Sequence, residues 1–359
     1  MKDLNNKELK KNYEMRHFLK KLLIIPLLSL LLFADINSQS IGRVGTTAAP
    51  FLKIGVGGRA LGMGEAYTTL AEDVTGLFWN PAGIANIDKM QVLFNHFDYI
   101  ADIDYEFGGI ALPLQGVGTI GVFFSYLGMP DIERTTINSP NGNGERVGAN
   151  SFVAGVSYAR ALTDRFSIGG SMKYIQETIW HSSAVGFGFD IGLHYRTFFK
   201  NVKIGMSISN FGSSMKMEGR DVLVQHDIND IFAGNNENIN ADLETEEYPL
   251  PILFRVGISS NITKDFLELE NYDWIISVDA IHPNDNKEYM NMGTEINFYD
   301  MVSLRAGFRQ AFLDNAEGNL ALGFGIHTEV MGFDFKLDYA NIDYGRLDHQ
   351  NKFSLIFSF

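Results

Sequence analysis

Chemistry needs a nucleophile with a base, a metal cage or a phosphate cradle, and this chain offers few side chains for any of them. It has no cysteine, which removes thiolate nucleophiles, thiolate metal sites and disulfide frameworks together. Its eight histidines (His17, His96, His181, His194, His226, His282, His327 and His349) are scattered. No His-Glu-x-x-His pair puts two zinc ligands on one helix face, and no Gly-x-Ser-x-Gly elbow exposes a serine. His96 near Asp98 and His181 beside Ser182 imitate surface hydrolase pairs, but adjacency in sequence does not set a base on a nucleophile. The turn at Gly55, with Asp73 beyond it, imitates a dinucleotide site without the strand-helix-strand unit that such a site requires. An acidic stretch, Gly212 to Pro251, lacks the Asp-x-Asp-x-Asp-Gly spacing of a calcium loop. The expectation is a protein that is not an enzyme and has no metal site and no cofactor.

Charge and the N-terminus define where the chain works. A net charge of -14 disfavours a sequence-independent nucleic-acid binder. Basic residues up to Lys21 precede the apolar run Leu22 to Ala34, and Ser38 is a small residue before a plausible cut. This is the layout of a secretory signal over residues 1–38, beginning at Met1 or Met15. Thirteen apolar residues make a helix of about 20 Å, too short to span a bilayer. Removing seven basic and four acidic residues with the signal takes the net charge from -14 to -17. After Gln39 no apolar run is long enough for a membrane-spanning helix, which leaves a soluble exported protein or an outer-membrane barrel.

Periodicity decides between the two. From Val185 to Arg196 every odd-numbered residue is large and apolar, and every even-numbered one is Gly, Asp, His or Arg, a period of two. Leu320 to His327 and Phe333 to Ala340 repeat it. The pattern predicts strands at 91–99, 105–112, 117–127, 150–161, 166–180, 184–196, 202–211, 252–260, 273–282, 288–298, 302–310, 319–329, 332–340 and 352–359. An even number of strands, with short turns alternating with longer loops, is the signature of a closed outer-membrane barrel. The short connection 181–183 and the long one 261–272 break the alternation. The expected fold is all-β: a 14-stranded antiparallel transmembrane β-barrel over 91–359, a small N-terminal plug over 39–90, and both the plug segment and the C-terminus on the periplasmic side. Trp180, Tyr195, Trp274, Tyr299 and Tyr339 are expected in the interfacial aromatic belts.

The plug segment carries the most specific words. Gly57-Gly58-Arg59-Ala60-Leu61-Gly62-Met63-Gly64-Glu65-Ala66 is followed by Trp79-Asn80-Pro81-Ala82-Gly83. Glycines there let the backbone pass close to a barrel wall; Ala66 to Leu70 is expected as a short helix and Asn80 to Gly83 as a turn into the first strand. The run from Phe51 to Ala85 closely resembles the PorV/PorQ family of outer-membrane proteins, related to the FadL long-chain fatty-acid transporters, whose hatch also carries an Asn-Pro-Ala turn inside a fourteen-stranded barrel. The likeness spans the mature chain in architecture and about 35 residues plus the last strand in motif. It implies a role in the type IX secretion pathway of Bacteroidota-like bacteria, with secreted cargo domains, the translocon and the attachment complex as partners. Phe353, Leu355, Phe357 and Phe359 lie on one side of the last strand, similar to the terminal signal that barrel-assembly machinery recognises, with Phe357 and Phe359 as its key residues. Outer-membrane lipids are the remaining expected contact.

Two features bear on mechanism. The long segment 212–251 mixes Asp221, Asp227, Asp230, Glu237, Asp242, Glu244, Glu246 and Glu247 with Val222, Leu223, Val224, Ile228, Ile231 and Phe232, and reads either as a partner-binding loop or as a solvated acidic cap. Gly128 to Ala149, with Asn141 to Gly144 at its tip, is a second candidate contact surface. Inward positions (Lys173, Glu177, Asp190, Arg196, Lys203, Arg255, Asp279, Glu295, Arg305, Arg309, Asp334, Lys336 and Asp338) carry both signs and suit cross-strand pairing or a conduction path. Two functions follow: an outer-membrane barrel that binds type IX partners, or a FadL-like transporter of hydrophobic molecules such as long-chain fatty acids, for which Leu77, Phe78, Trp79 and Ile84 supply part of a pocket.

Overall fold

The computed structural model describes residues 44–100, 103–227, 238–267, 272–313, 316, 318–330 and 332–359; the expected signal segment 1–38 lies outside them. Fourteen long strands make the wall: β1 (Gln91–Asp98), β2 (Asp104–Leu114), β3 (Gly118–Gly128), β4 (Ala149–Thr163), β5 (Phe166–Ile179), β6 (Ser182–Arg196), β7 (Lys203–Gly212), β8 (Leu253–Asn261), β9 (Tyr272–Pro283), β10 (Tyr289–Phe298), β11 (Val302–Ala311), β12 (Leu320–Val330), β13 (Phe333–Asp343) and β14 (His349–Ser358). All of the expected strands are present, with ends displaced by at most three residues. Each pairs antiparallel with the next, and β14 returns to β1 from Gln91↔Ser358 to His96↔Phe353. Closure pairs every edge, as a wall in hydrocarbon must.

The alternation sorts the side chains as the period demands. On β6, Val185, Phe187, Phe189, Ile191 and Tyr195 face outward and are exposed, while Asp190 and His194 are buried inside. On the last two strands the outward rings meet in cross-strand pairs, Phe335 with Phe357 and Tyr339 with Phe353, each at 5.0 Å between centroids. Among the described residues no helix is long and apolar enough to cross a membrane; the strands do the crossing.

The two irregular connections have local causes. Only Trp180 and His181 join β5 to β6 because the following long loop continues the sheet: Met215–Gly219 pairs with Ser182 to Ala184, and Glu247–Tyr248 pairs with Met215 and Lys216. The β8–β9 connection holds a wide helical turn, Thr263–Leu267. Of the long loop, Leu223–His226 and Ile239–Asp242 form a separate hairpin; Ile228, Asp230, Ile231, Phe232 and Glu237 lie outside the described residues.

A barrel of this size leaves a lumen that must be filled or left wet. Here the chain before β1 fills it: Val56, Ala60, Leu61, Met63, Tyr67 and Leu77 are fully buried. Two short helices, α1 (Gly58–Gly62) and α2 (Gly76–Trp79), and two 3₁₀ turns, Pro50–Lys53 and Pro81–Asn86, are its regular pieces. The helix expected over Ala66 to Leu70 is absent. The backbone N–H groups of Tyr67 and Thr68 donate to Asp279 on β9, at 2.9 and 2.8 Å, which ties this stretch of the plug to the wall.

The plug does not lie wholly at the turn end of the barrel, where β1 begins. Ala48 N donates to the Pro249 carbonyl (3.0 Å), Ala49 N to Glu177 Oε2 (3.0 Å) and Thr47 Oγ1 to Asp285 (3.0 Å), all at the end bearing the long loops. An even strand count fixes where β1 starts and leaves the preceding chain free to cross the lumen. It runs from the loop end inward, reaches the turn end near Glu72 and Asn86, and enters β1 from there.

Candidate functional site

The plug and the wall around it bring together the residues singled out in the sequence. Gly57 takes φ +87 and its N–H donates to Asn95 Oδ1 (3.1 Å); the Gly58 N–H donates to Ser354 Oγ (2.8 Å). Gly62 and Gly64 are where backbone touches backbone. A Cβ on Gly62 would come within 2.9 Å of Gly323 Cα, and one on Gly64, at φ +62, within 2.7 Å of Phe308 N. At these contacts wall glycines answer plug glycines, as Gly323 does Gly62 and Gly307 does Gly64.

Arg59 anchors the middle. Its Nε and Nη2 grip Glu295 on β10 at 2.9 and 2.7 Å, and Arg305 on β11 binds the same carboxylate at 2.5 Å and Asp338 on β13 at 2.6 Å. Two guanidinium groups and two carboxylates thus neutralise one another, Glu295, Arg305 and Asp338 buried and Arg59 half-buried, with each group also hydrogen-bonded, the condition under which buried charge is tolerable. Glu65 pairs with Arg309 at 2.8 Å, Lys53 with Asp285, and Lys173 with Asp190 at 2.6 Å. Much of the mixed-sign lumen is therefore paired, several of the pairs joining plug and wall.

The Trp-Asn-Pro-Ala-Gly run closes the turn end. Trp79 Nε1 donates to the Val56 carbonyl (2.8 Å) and the ring lies under Arg255 (5.4 Å). Asn80 caps the 3₁₀ turn through Ala82 N (3.2 Å) while its Nδ2 reaches the carbonyls of Thr68 (3.0 Å) and Leu193 (3.2 Å). Pro81 starts the turn, Ala82 is fully buried, and Gly83 sits against the Ala71 carbonyl with no room for a side chain. Glu72 pairs with Lys203 at this end; burial pushes its carboxyl up, but the Lys203 ammonium, helped by His194 and Arg196, wins and holds it below the ordinary carboxylate range. Leu77, Phe78 and Ile84 pack as core among Val74, Phe107 and Phe123, and Trp79 packs with Tyr67 and Leu70, so the residues expected to line an apolar pocket are core.

At the loop end His181, Ser182 and Asp221 come together, which spacing alone does not show. Asp221 accepts from His181 N (2.9 Å) and Ser182 Oγ (3.1 Å), and His181 Nδ1 lies 3.3 Å from the same carboxylate. The serine proton points to the carboxylate and not to the imidazole, so the arrangement pins the long loop to the β5–β6 turn and supplies no base to a nucleophile. His96 and Asp98 are 3.9 Å apart and open to solvent. Among the described residues no group of three or more metal-ligating side chains forms a cage.

Sequence reasoning missed Asp279, Thr68 and His194 as a unit. Asp279 Oδ2 also accepts from Thr68 Oγ1 (2.6 Å), and His194 Nε2 meets the Thr68 carbonyl at 2.7 Å, locking the plug between β6 and β9. The only signal for it was the inward parity of His194 and Asp279. At the far end of the chain Phe357 and Phe359 face outward beside Phe335 and Phe333.

Comparison with known proteins gives two findings. A family model described as "Type IX secretion system protein PorV" matches residues 37–229. The Pseudomonas putida toluene transporter TodX is similar in structure (TM-score 0.54, 12% identity, covering 85% of this chain and 97% of that one). The Ralstonia pickettii toluene transporter TbuX is similar at TM-score 0.51 and 10% identity, covering 85% and 97%. A Pseudomonas aeruginosa FadL homologue matches at TM-score 0.47 and 12% identity, covering 84% and 97%. No curated protein sequence matches the chain.

Proposed function

The chain belongs to the PorV family of type IX secretion system proteins, and we propose that within this outer-membrane machinery it works by binding and presenting protein partners, not by conducting or by chemistry. The observation that carries the reading is the plug: charges of the segment 53–72 are neutralised in place by the wall, and the lumen between them is packed. A barrel so closed has its loop-end rim and outer wall left with which to act. On this reading secreted cargo domains and the translocon or attachment components meet the 128–149 and 212–251 loops, the signal over residues 1–38 is cleaved, and barrel-assembly machinery reads Phe357 and Phe359.

The second reading, a FadL-like transporter of hydrophobic small molecules, draws on the fold shared with the toluene transporters. One strain separates the two. Deleting the gene is expected to abolish release of cargo to the surface and leave labelled fatty-acid uptake unchanged; lost uptake with normal secretion would sink the first reading. Deleting residues 213–247 is expected to weaken cargo capture at the surface, and unchanged capture removes that loop from the partner surface.

A further inference from the structure

We propose that the chain enters its own lumen from the loop end, so that Val44 lies at the outer mouth and Thr47 to Lys53 form a strap across it. The strap is held by separate parts of the rim. Ala48 N binds the Pro249 carbonyl at the base of the long loop, Ala49 N binds Glu177 near the top of β5, and Thr47 and Lys53 both bind Asp285 in the β9–β10 turn. Between these anchors Phe51 (3% exposed) and Leu52 (7%) pack with Val153, Ile175, Met215 and Leu250. The 3₁₀ turn Pro50–Lys53 then directs the chain downward.

Chain geometry leaves no other exit. Val44 is 72% exposed, and the four residues from it to Ala48 span at most about 14 Å, whereas the apolar band of such a barrel is about 25 Å tall. The route back to the turn end is filled by the plug itself, so Val44 stays at the loop end. The inference rests on the outer-membrane orientation adopted above, loops outward, and extends it: a partner docking at this mouth meets the chain's own N-terminal residues beside Pro249 and Asp285.

A chain with no native cysteine suits a labelling test with a membrane-impermeant maleimide on intact cells. Three single-cysteine variants at exposed positions are compared: Val44→Cys in the strap, Asn143→Cys at a loop tip and Asp164→Cys in a short turn. The expected result is that Val44→Cys and Asn143→Cys label on intact cells to a similar extent, and Asp164→Cys only after permeabilisation. Val44→Cys behaving like Asp164→Cys while Asn143→Cys labels would overturn the strap and leave the orientation standing. Protection of Asn143→Cys would overturn both. In a second measurement, Asp285→Asn is expected to speed tryptic cleavage after Lys53 on intact cells; an unchanged rate would overturn Asp285 as an anchor of the strap.

Discussion

Glu295 shows what single residues do in this lumen. It is buried and answers two guanidinium groups, Arg59 from the plug and Arg305 from the wall, so its loss leaves two cations without their shared anion. Removing one partner of a buried pair costs about 3–5 kcal/mol, and Glu295→Gln is expected to lower unfolding stability by that amount, read as a reduced denaturant midpoint. Lys89→Met, which breaks the exposed pair with Asp334, is expected to cost less than about 1 kcal/mol; equal effects would mean the buried cluster holds nothing. A titratable counterpart is Glu72. Its carboxyl is lowered in the folded state by Lys203, so the stability it adds is full above its ordinary, unfolded value and is lost as pH falls through the depressed folded one. Proteolysis of the plug is therefore expected to accelerate as pH drops below about 4.5, and Glu72→Gln is expected to flatten that acid limb. The inward parity of Glu295 was legible from the alternation, and Arg59 from its motif. Their pairing was not, because it joins positions 236 residues apart through a stagger of strands that no local pattern encodes.

At the scale of elements, legibility divides between wall and plug. A strand facing lipid on one side must alternate, so β6, β12 and β13 announce themselves, and even the uneven ends of β14 moved only by His349 to Asn351. The plug has no period to read: its backbone follows the donors and acceptors the wall presents, as where Tyr67 and Thr68 donate to Asp279. What the sequence does show of the plug is its glycines. Gly64 holds φ +62 against Phe308 and Gly307, so Gly64→Val faces both a left-handed backbone and a backbone obstacle, the kind of strain worth about 1–3 kcal/mol or more. Gly116, at φ +74 with nothing within 4 Å, carries the same backbone penalty without the obstacle. Gly64→Val is therefore expected to expose the plug to protease in the assembled barrel and Gly116→Val to leave it protected; matching digests would show that contact with the wall is not what fixes the plug. The last strand makes a different demand. Phe359 packs edge-on to Phe333 at 5.5 Å, and removing it is expected to lower the folded barrel recovered from the outer membrane while the barrel that does assemble keeps its stability, the result if Phe359 serves recognition in assembly more than packing.

For the whole molecule the decisive property is whether the barrel conducts. The fold is shared with transporters of small apolar molecules, but fold does not determine function, and the lumen differs in kind from a channel. The charges of its plug are paired with the wall, the apolar residues of α2 pack against Phe107 and Phe123, and the plug touches the wall from β1 around to β14 through Asn95, Leu193, Asp279, Glu295 and Ser354. Opening a path would require several buried pairs to part together, each leaving an uncompensated charge. The full barrel is accordingly expected to be electrically silent in a planar bilayer, and to stay silent at voltages that open unplugged porins. Deleting residues 44–86 while keeping the strands is expected to give stable single-channel steps, if the wall assembles without its filling. Glu295→Gln lies between the two: with Arg59 and Arg305 left facing one carboxylate fewer, brief openings are expected over a closed baseline. Sustained conductance from the unaltered barrel would instead make the plug a gate and return the transporter reading to first place.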